Sequence, residues 1–470
     1  MTTILPPPEG GFEAEVPVAI IGAGCAGLAA ALACKEEGVE PLVIERDPLP
    51  RGSTALSAGL IPGPGSRWQK ALGIEDSAKL FVADVAKKTK GKADAALARA
   101  IGEGAAPALE WLADRHGFEI SLVADFDYPG HSRRRLHGLP SRSGAELIDR
   151  LRAAAERAEI PLLTEAHADA LYADDHGRVL GVRVTRPDGS TEAIGCGALV
   201  LACSGYGGDK ELVRRYIPSS KDAVYFGHPG NTGDAVRFAE GLGLALADMT
   251  GHQGHGSVAH PAGILISWAV IMEGGFQANL FGERFWNESQ GYSESAEQVL
   301  AQPEGIAFDV FDSRIAGIAR QFEDFRNAEA AGAILTADTP EALAQLMKVP
   351  VNEFAATFAA VEEAKRQGAT DSFGRDWAGS KPLSAPLHAV RVTGTLFHTQ
   401  GGIVVDGSAR AVRVDGSAAP NLFAAGGAAR GISGPEASGY LSGNGLMPAL
   451  VLGRAAGRSA AACAKAAGVA

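Results

Sequence analysis

Cysteine is scarce and unpatterned in this chain. There are five, Cys25, Cys34, Cys196, Cys203 and Cys463, an odd count with no C-x-x-C pair. That spacing argues against a disulfide framework, and it predicts reduced, buried thiols in a cytoplasmic protein, with no metal site. Positive charge is also in deficit. Lysine and arginine number 43 against 55 acids, a net charge of −12, which disfavours nucleic acid and anionic membranes as partners. No apolar run is long enough to span a bilayer. The stretch from Met1 to Gly11 is rich in proline and acid, unlike a secretory signal. Internal repeats are absent. Tyrosine is rare, seven in 470 residues, so a tyrosine that falls inside a motif carries information.

What the chain has in quantity is glycine, 60 residues, within a 46% hydrophobic composition. Length and composition predict a multidomain α/β enzyme with many backbone–ligand contacts. The glycines are ordered. Gly22-Ala23-Gly24-Cys25-Ala26-Gly27 separates an apolar run, Val18 to Ile21, from an alanine-rich helical stretch, Leu28 to Lys35. A second apolar run, Pro41 to Ile44, ends at Glu45. Strand, glycine turn, helix, strand and acid in this order form a dinucleotide site. Gly22 permits the tight turn, Gly24 lets the backbone approach a pyrophosphate, and Gly27 lets the helix pack close. The helix N-terminus faces phosphate, and Glu45 accepts from a ribose hydroxyl.

The segments downstream choose the dinucleotide. Arg46 opens a run of small and hydroxyl residues, among them Ser53, Thr54, Ser57 and Gly59, suited to a flat cofactor lying over backbone. A buried-strand pattern at 198–201 ends in Ala202 and Gly205, where adenine or ribose can touch backbone. Asp234 begins another helix. Near the C-terminus, the strand at 421–425 runs into Gly426. Gly443, Asn444 and Leu446 then lead into a long alanine-rich helix, again offering N–H groups to an electron-rich ring. Two such turns at opposite ends of the chain point to FAD.

Helical patterns are expected over 76–116 and 145–158, with strands near Leu162 and Leu171 and a hairpin at Asp174 to Gly177. From about Gly251 to 395 the strand-to-glycine pattern stops and His, Trp, Phe and Gln become commoner. The expected organisation is therefore a Rossmann-like α/β FAD-binding domain, residues 1–250 and 396–470, with an inserted α+β substrate or cap domain, residues 251–395.

Taken together, these segments resemble the flavoprotein superfamily of fumarate reductases and 3-ketosteroid dehydrogenases. The likeness adds Gly282-Glu283-Arg284-Phe285-Trp286-Asn287-Glu288 and His398 to Gly402 to the segments above. The resemblance implies hydride transfer between flavin N5 and a carbon beside an activating group, with a side chain moving the proton. Covalent-flavin members carry a histidine in the segment matching Ser53 to Gly59. None stands here, so FAD is expected to be noncovalent.

Departures define the subfamily. The reductases' proton-donating arginine, four residues after the motif glutamate, is matched by Tyr292. The relay glutamate and arginine are matched by Trp268 and Ile271, and the carboxylate-clamping arginine by Tyr440. Two histidines of that site remain, His255 and His398. Ketosteroid dehydrogenases carry tyrosines at these two places and a third in a segment that Asp127-Tyr128-Pro129 resembles. Tyr128, Tyr292, Tyr440, His255 and His398 are thus the candidate catalytic residues of a cyclic-ketone desaturase acting on a 3-ketosteroid or a smaller oxo-cyclohexane carboxylate, with an electron acceptor as second partner. One residue departs from that pattern: Asn444 stands where the steroid enzymes have glycine. An ene reductase of a non-dicarboxylate alkene and a non-catalytic flavin binder are the alternatives. Arg133-Arg134-Arg135 reads as a solvated charge run, or as a reach toward a substrate carboxylate. Trp268 and Trp286 read as core residues, or as stacking partners.

Overall fold

The computed structural model describes residues 3–124 and 128–469. Asp127 of the Asp127-Tyr128-Pro129 segment lies outside them.

The described chain parts into two compact units. The first comprises Met1–Ile217, Gly227–His252 and His398–Ala470, and the second Pro218–Phe226 and Gln253–Phe397. In the first unit the apolar runs pair as the sequence order requires. Strand Ala14–Ile21 lies parallel to Pro41–Ile44 on one side and to Thr191–Leu201 on the other, and Thr191–Leu201 lies parallel to Ala418–Ala424. The register aligns Ile44, Ile21, Leu201 and Ala424 at one edge. Each is the last residue of its strand, so Glu45, Gly22, Ala202 and the turn at Gly426 all emerge together. That is the carboxyl edge at which open α/β sheets bind ligands.

Helices Cys25–Glu36 and Leu446–Ala466 pack on this sheet and on each other. Small residues set the approach. A Cβ on Gly453 or Gly457 would strike the carbonyl of Ala26 or Ala30. The helical stretch expected over 76–116 is two helices, Ala78–Lys88 and Ala95–His116, broken at Gly91, whose φ is +76°. Helix Gly144–Arg157 and strands Leu162–Leu163, His167–Ala173 and Val179–Thr185 stand where the periodicity put them.

The second unit is built on a sheet whose strands run in the order Ile264–Leu265, His252–Ala259, Leu387–Thr399, Ile306–Asp312, Phe276–Asn279. Phe276, Phe311, Phe354 and Trp377 fill its core. Residues 218–226, read from sequence as part of the FAD domain, belong here instead. Val224–Tyr225 pairs parallel with Thr395 and Leu396, and the Phe226 N–H donates to the Leu396 carbonyl at 2.8 Å. Edge pairing with a strand 170 residues away overrides sequence proximity. Among the described residues no helix is long and apolar enough to cross a membrane.

Candidate active site

The first glycine turn separates two kinds of requirement. Gly22 has φ +102°, and a Cβ there would stand 2.5 Å from the Ala202 carbonyl oxygen. A Cβ on Gly27 would collide with the Gly22 carbonyl. The protein's own packing demands both glycines. Gly24 differs: its φ of −76° and ψ of −171° suit any residue, and a Cβ would meet only the Thr54 Oγ1 at 3.5 Å. Nothing among the described residues requires glycine at 24, and the open backbone at this uncapped helix N-terminus suits a pyrophosphate.

The expected neighbours converge here. Thr54 Oγ1 accepts from the Cys25 N–H at 3.0 Å, and Glu45 Oε2 from the Ala23 N–H at 2.8 Å. Glu45 therefore touches the phosphate turn itself, with acceptor capacity left for a ribose hydroxyl. Ser53 Oγ accepts from the His228 N–H at 3.1 Å and from Asn231 Nδ2 at 2.8 Å. Arg46 bonds the Gly230 carbonyl and Thr232. Ser57 donates to the Thr54 carbonyl at 2.7 Å and accepts from the Gly59 N–H at 3.2 Å. Arg46 and Ser57, expected as cofactor ligands, thus have their hydrogen bonds within the chain. Asp234 faces His167 and Thr232, each at 3.3 Å. Ala202 donates to Ile21 at 2.8 Å, a Cβ on Gly205 would strike Thr399, and a Cβ on Gly426 would stand 3.1 Å from that of Ala26.

At the second turn, before Leu446, Gly443 packs on Pro62, and Asn444 is 1% exposed. Asn444 Nδ2 donates to Ser433 Oγ at 3.2 Å, while its Oδ1 has no partner among the described residues. A buried orphan acceptor is costly unless a ligand N–H satisfies it. The pyrimidine N–H of a flavin fits that need.

Behind this turn lies His398. Ser433 donates to Gln400 Oε1 at 2.7 Å, which orients Gln400 Nε2 toward His398 Nδ1 at 3.0 Å. Nε2 then carries the imidazole proton. Burial pushes His398 down to about 4, so the ring is neutral near pH 7. Tyr440 meets His398 edge-on, with 5.4 Å between centroids. Burial raises the Tyr440 phenol, while the nearby Gly445 and Gly443 amides pull the other way. Tyr128 lies near the same turn: the Tyr128 carbonyl accepts from the His131 N–H at 3.2 Å, and intervening Gly130 abuts Leu441.

In the second unit, His255 is sandwiched. Tyr292 stacks on it at 5.0 Å and 19°, Phe397 at 5.3 Å and 22°, and Trp268 meets its edge at 5.9 Å. The Ser257 N–H donates to His255 Nδ1 at 3.1 Å, which leaves the proton on Nε2. Burial pushes this imidazole down to about 3. Trp268 is a core residue whose buried indole N–H has no acceptor among the described residues. Trp286 is core too, donating to Gln277 Oε1 at 3.0 Å.

Sequence reasoning missed the groups that hold this cluster. Gln277 is fully buried. It joins Gly256, Asp309, Trp286 and Ser295 through its side chain and Glu288 through its backbone. Arg375 bonds Glu288 at 3.1 Å and the Ile271 carbonyl at 2.8 Å, stacked 3.8 Å over Trp377. It thereby fixes both the segment entering helix Tyr292–Leu300 and the helix that follows Trp268. No local spacing marks either residue. One expectation is corrected outright: Arg135 is neither solvated nor aimed at a substrate. It is 1% exposed and neutralised by Asp76 at 2.8 Å and Asp84 at 2.5 Å. Burial pushes the thiols of Cys25, Cys34, Cys196 and Cys203 up to about 12, which leaves them unreactive.

The model of the FAD binding domain family matches residues 17–446. The chain belongs to the FAD binding domain family. Its members similar to this chain include the probable fumarate reductase Ifc3 of Shewanella frigidimarina, 30% identical over 94% of this chain and 74% of the relative. Urocanate reductase of Eggerthella lenta is 27% identical over 97% and 76%. Among solved structures, the open conformation of a flavocytochrome c3 fumarate reductase superposes with TM-score 0.83 at 29% identity, covering 97% of this chain and 79% of that one. A 3-ketosteroid-Δ4-(5α)-dehydrogenase from Rhodococcus jostii superposes at 0.76 with 23% identity, covering 97% and 99%, a likeness of fold alone. The chain is a flavoprotein oxidoreductase acting on CH–CH groups, with FAD as cofactor.

Proposed function

We propose that this oxidoreductase desaturates a neutral cyclic ketone next to its carbonyl. The observation that carries the reading is Tyr440, buried at the turn that leads to Leu446 and edge-on to the neutral His398. A buried hydroxyl held there can donate to a carbonyl oxygen and stabilise the enolate that forms. Tyr292 takes the α-proton, since one side chain serves the α-hydrogen and another the oxygen. A bound FAD would supply the hydride acceptor for the β-carbon. In the first unit, Gly22, Gly24, Glu45, Thr54, Gly426 and Asn444 would hold it.

Charge supports a neutral substrate. Relay and clamp arginines are replaced by Tyr292, Ile271 and Tyr440, and His255 and His398 are neutral near pH 7. Buried neutral donors hold a carbonyl better than a carboxylate, which carries a charge that wants a guanidinium. Anaerobic bleaching of the bound flavin tests this across neutral cyclohexanones, oxo-acids and 3-ketosteroids. Preference for oxo-acids rejects the neutral-substrate reading, and bleaching by none of them rejects desaturation.

A second reading has one observation in its favour: the two curated relatives named above are reductases. The same residues then work in reverse, Tyr292 giving the proton to an activated neutral alkene while an external reductant supplies electrons. Faster oxidation of reduced flavin by an enone than reduction of oxidised flavin by the ketone favours this direction.

A further inference from the structure

His131 lies outside the groups assigned above, yet it touches the turn that carries Tyr440. Its Nε2 is 3.0 Å from the Ser442 carbonyl oxygen. Its Nδ1 faces Arg135 Nη1 at 3.4 Å. Arginine only donates, so Nδ1 is the acceptor and Nε2 carries the proton. Arg135 is itself fixed, by Asp76 at 2.8 and 3.0 Å and by Asp84 at 2.5 Å. Ser442 stands two residues after Tyr440, in the turn that leads to Leu446.

We propose that His131 is a positioning residue for Tyr440: its Nε2–H grips the Ser442 carbonyl and so fixes the turn that Tyr440 opens. The chain of contacts is Asp76 and Asp84, Arg135, His131, then the Ser442 carbonyl, two residues after Tyr440. Burial, first, and then Arg135 push the imidazole down to about 4, which keeps it in the single neutral form this geometry needs. Gly130 abutting Leu441 holds the segment close enough to act. The functional weight of this device rests on reading Tyr440 as the carbonyl donor.

The test is 13Cζ-tyrosine NMR of the full chain, which has seven tyrosines, so the Tyr440 line is the one lost in Tyr440→Phe. In His131→Leu the Tyr440 line should move, and flavin reduction by ketone should fall about tenfold. His131→Leu added to Tyr440→Phe should cost almost nothing further, because the two act as a unit. His131→Gln, which keeps an N–H near the reach of Nε2, should restore the line, and His131→Asn should not. An unmoved Tyr440 line in folded His131→Leu overturns the proposal. If that variant does not fold, the Gln and Asn variants decide, and identical Tyr440 lines in the two overturn it. A line that moves while Tyr440→Phe turns over ketone at the wild-type rate keeps the positioning and rejects Tyr440 as the donor.

Discussion

The Tyr292 ring lies nearly parallel to the His255 imidazole, with centroids 5.0 Å apart and 19° between the planes. Phe397 covers the other face. The stack holds the Tyr292 ring, which Tyr292→Phe keeps. Tyr292→Phe should keep the fold and leave ketone binding nearly unchanged while cutting flavin reduction by on the order of 10²-fold. Stopped-flow reduction across a ketone titration separates the two effects. Normal hydrogen exchange at the ketone α-carbon in that variant would identify another base.

Tyr440→Phe should behave differently. Loss of the carbonyl donor weakens both ground-state binding and the enolate, so the dissociation constant rises and the rate falls by about 10²–10³. A rate loss with unchanged binding would assign the carbonyl to a different donor.

Gly24→Ala discriminates cofactor contact from folding. A methyl there meets only Thr54 Oγ1 at 3.5 Å, so the apoprotein should melt within a degree or two of wild type. FAD retention should fall at least about tenfold, because the methyl occupies the approach of the pyrophosphate. Gly27→Ala should instead impair folding itself, since its Cβ collides with the Gly22 carbonyl. Equal FAD affinity in Gly24→Ala and wild type would remove the phosphate from this turn.

Acid or heat should release the flavin as intact FAD, because no histidine stands between Arg51 and Gly59. Yellow colour that remains with precipitated polypeptide would show a covalent link.

Asp309 gives stability a pH dependence of definite sign. It is fully buried, accepting from Gln277 at 2.8 Å and from Ser257, and burial pushes its carboxyl up to about 7 from the ordinary 3.8. Between about pH 4 and 7 the folded state holds a proton that the unfolded state has lost, so this group's contribution falls as pH rises through that window. His255 acts oppositely: pushed down to about 3, it lowers stability as pH drops below its ordinary 6.5. Asp309→Asn keeps partners for both Gln277 and Ser257. It should raise the melting temperature at pH 8 by several degrees relative to wild type, with little difference at pH 4. Parallel melting curves for the two proteins across that range would place the proton elsewhere.

Sequence alone determined whatever is local or repeats at a fixed offset. The turn at 22–27, its flanking strands, Glu45, and the helix at 446–466 were legible because strand, turn and helix each leave a short-range pattern. Tyr292 and Tyr440 became candidates because they sit at fixed offsets from motif residues and tyrosine is rare in the chain. Tertiary structure decided the rest, through pairings between residues far apart in the chain that no period records. Strand pairing drew residues 218–226 into the second unit. Two acids about 50 and 60 residues away turned Arg135 from a surface charge into a buried anchor. Gln277 and Arg375 became the supports of Tyr292 and His255 only when separate segments met around Glu288 and Asp309. The candidate side chains announce themselves by type and spacing. Those that aim them act through hydrogen bonds formed only when distant segments fold together.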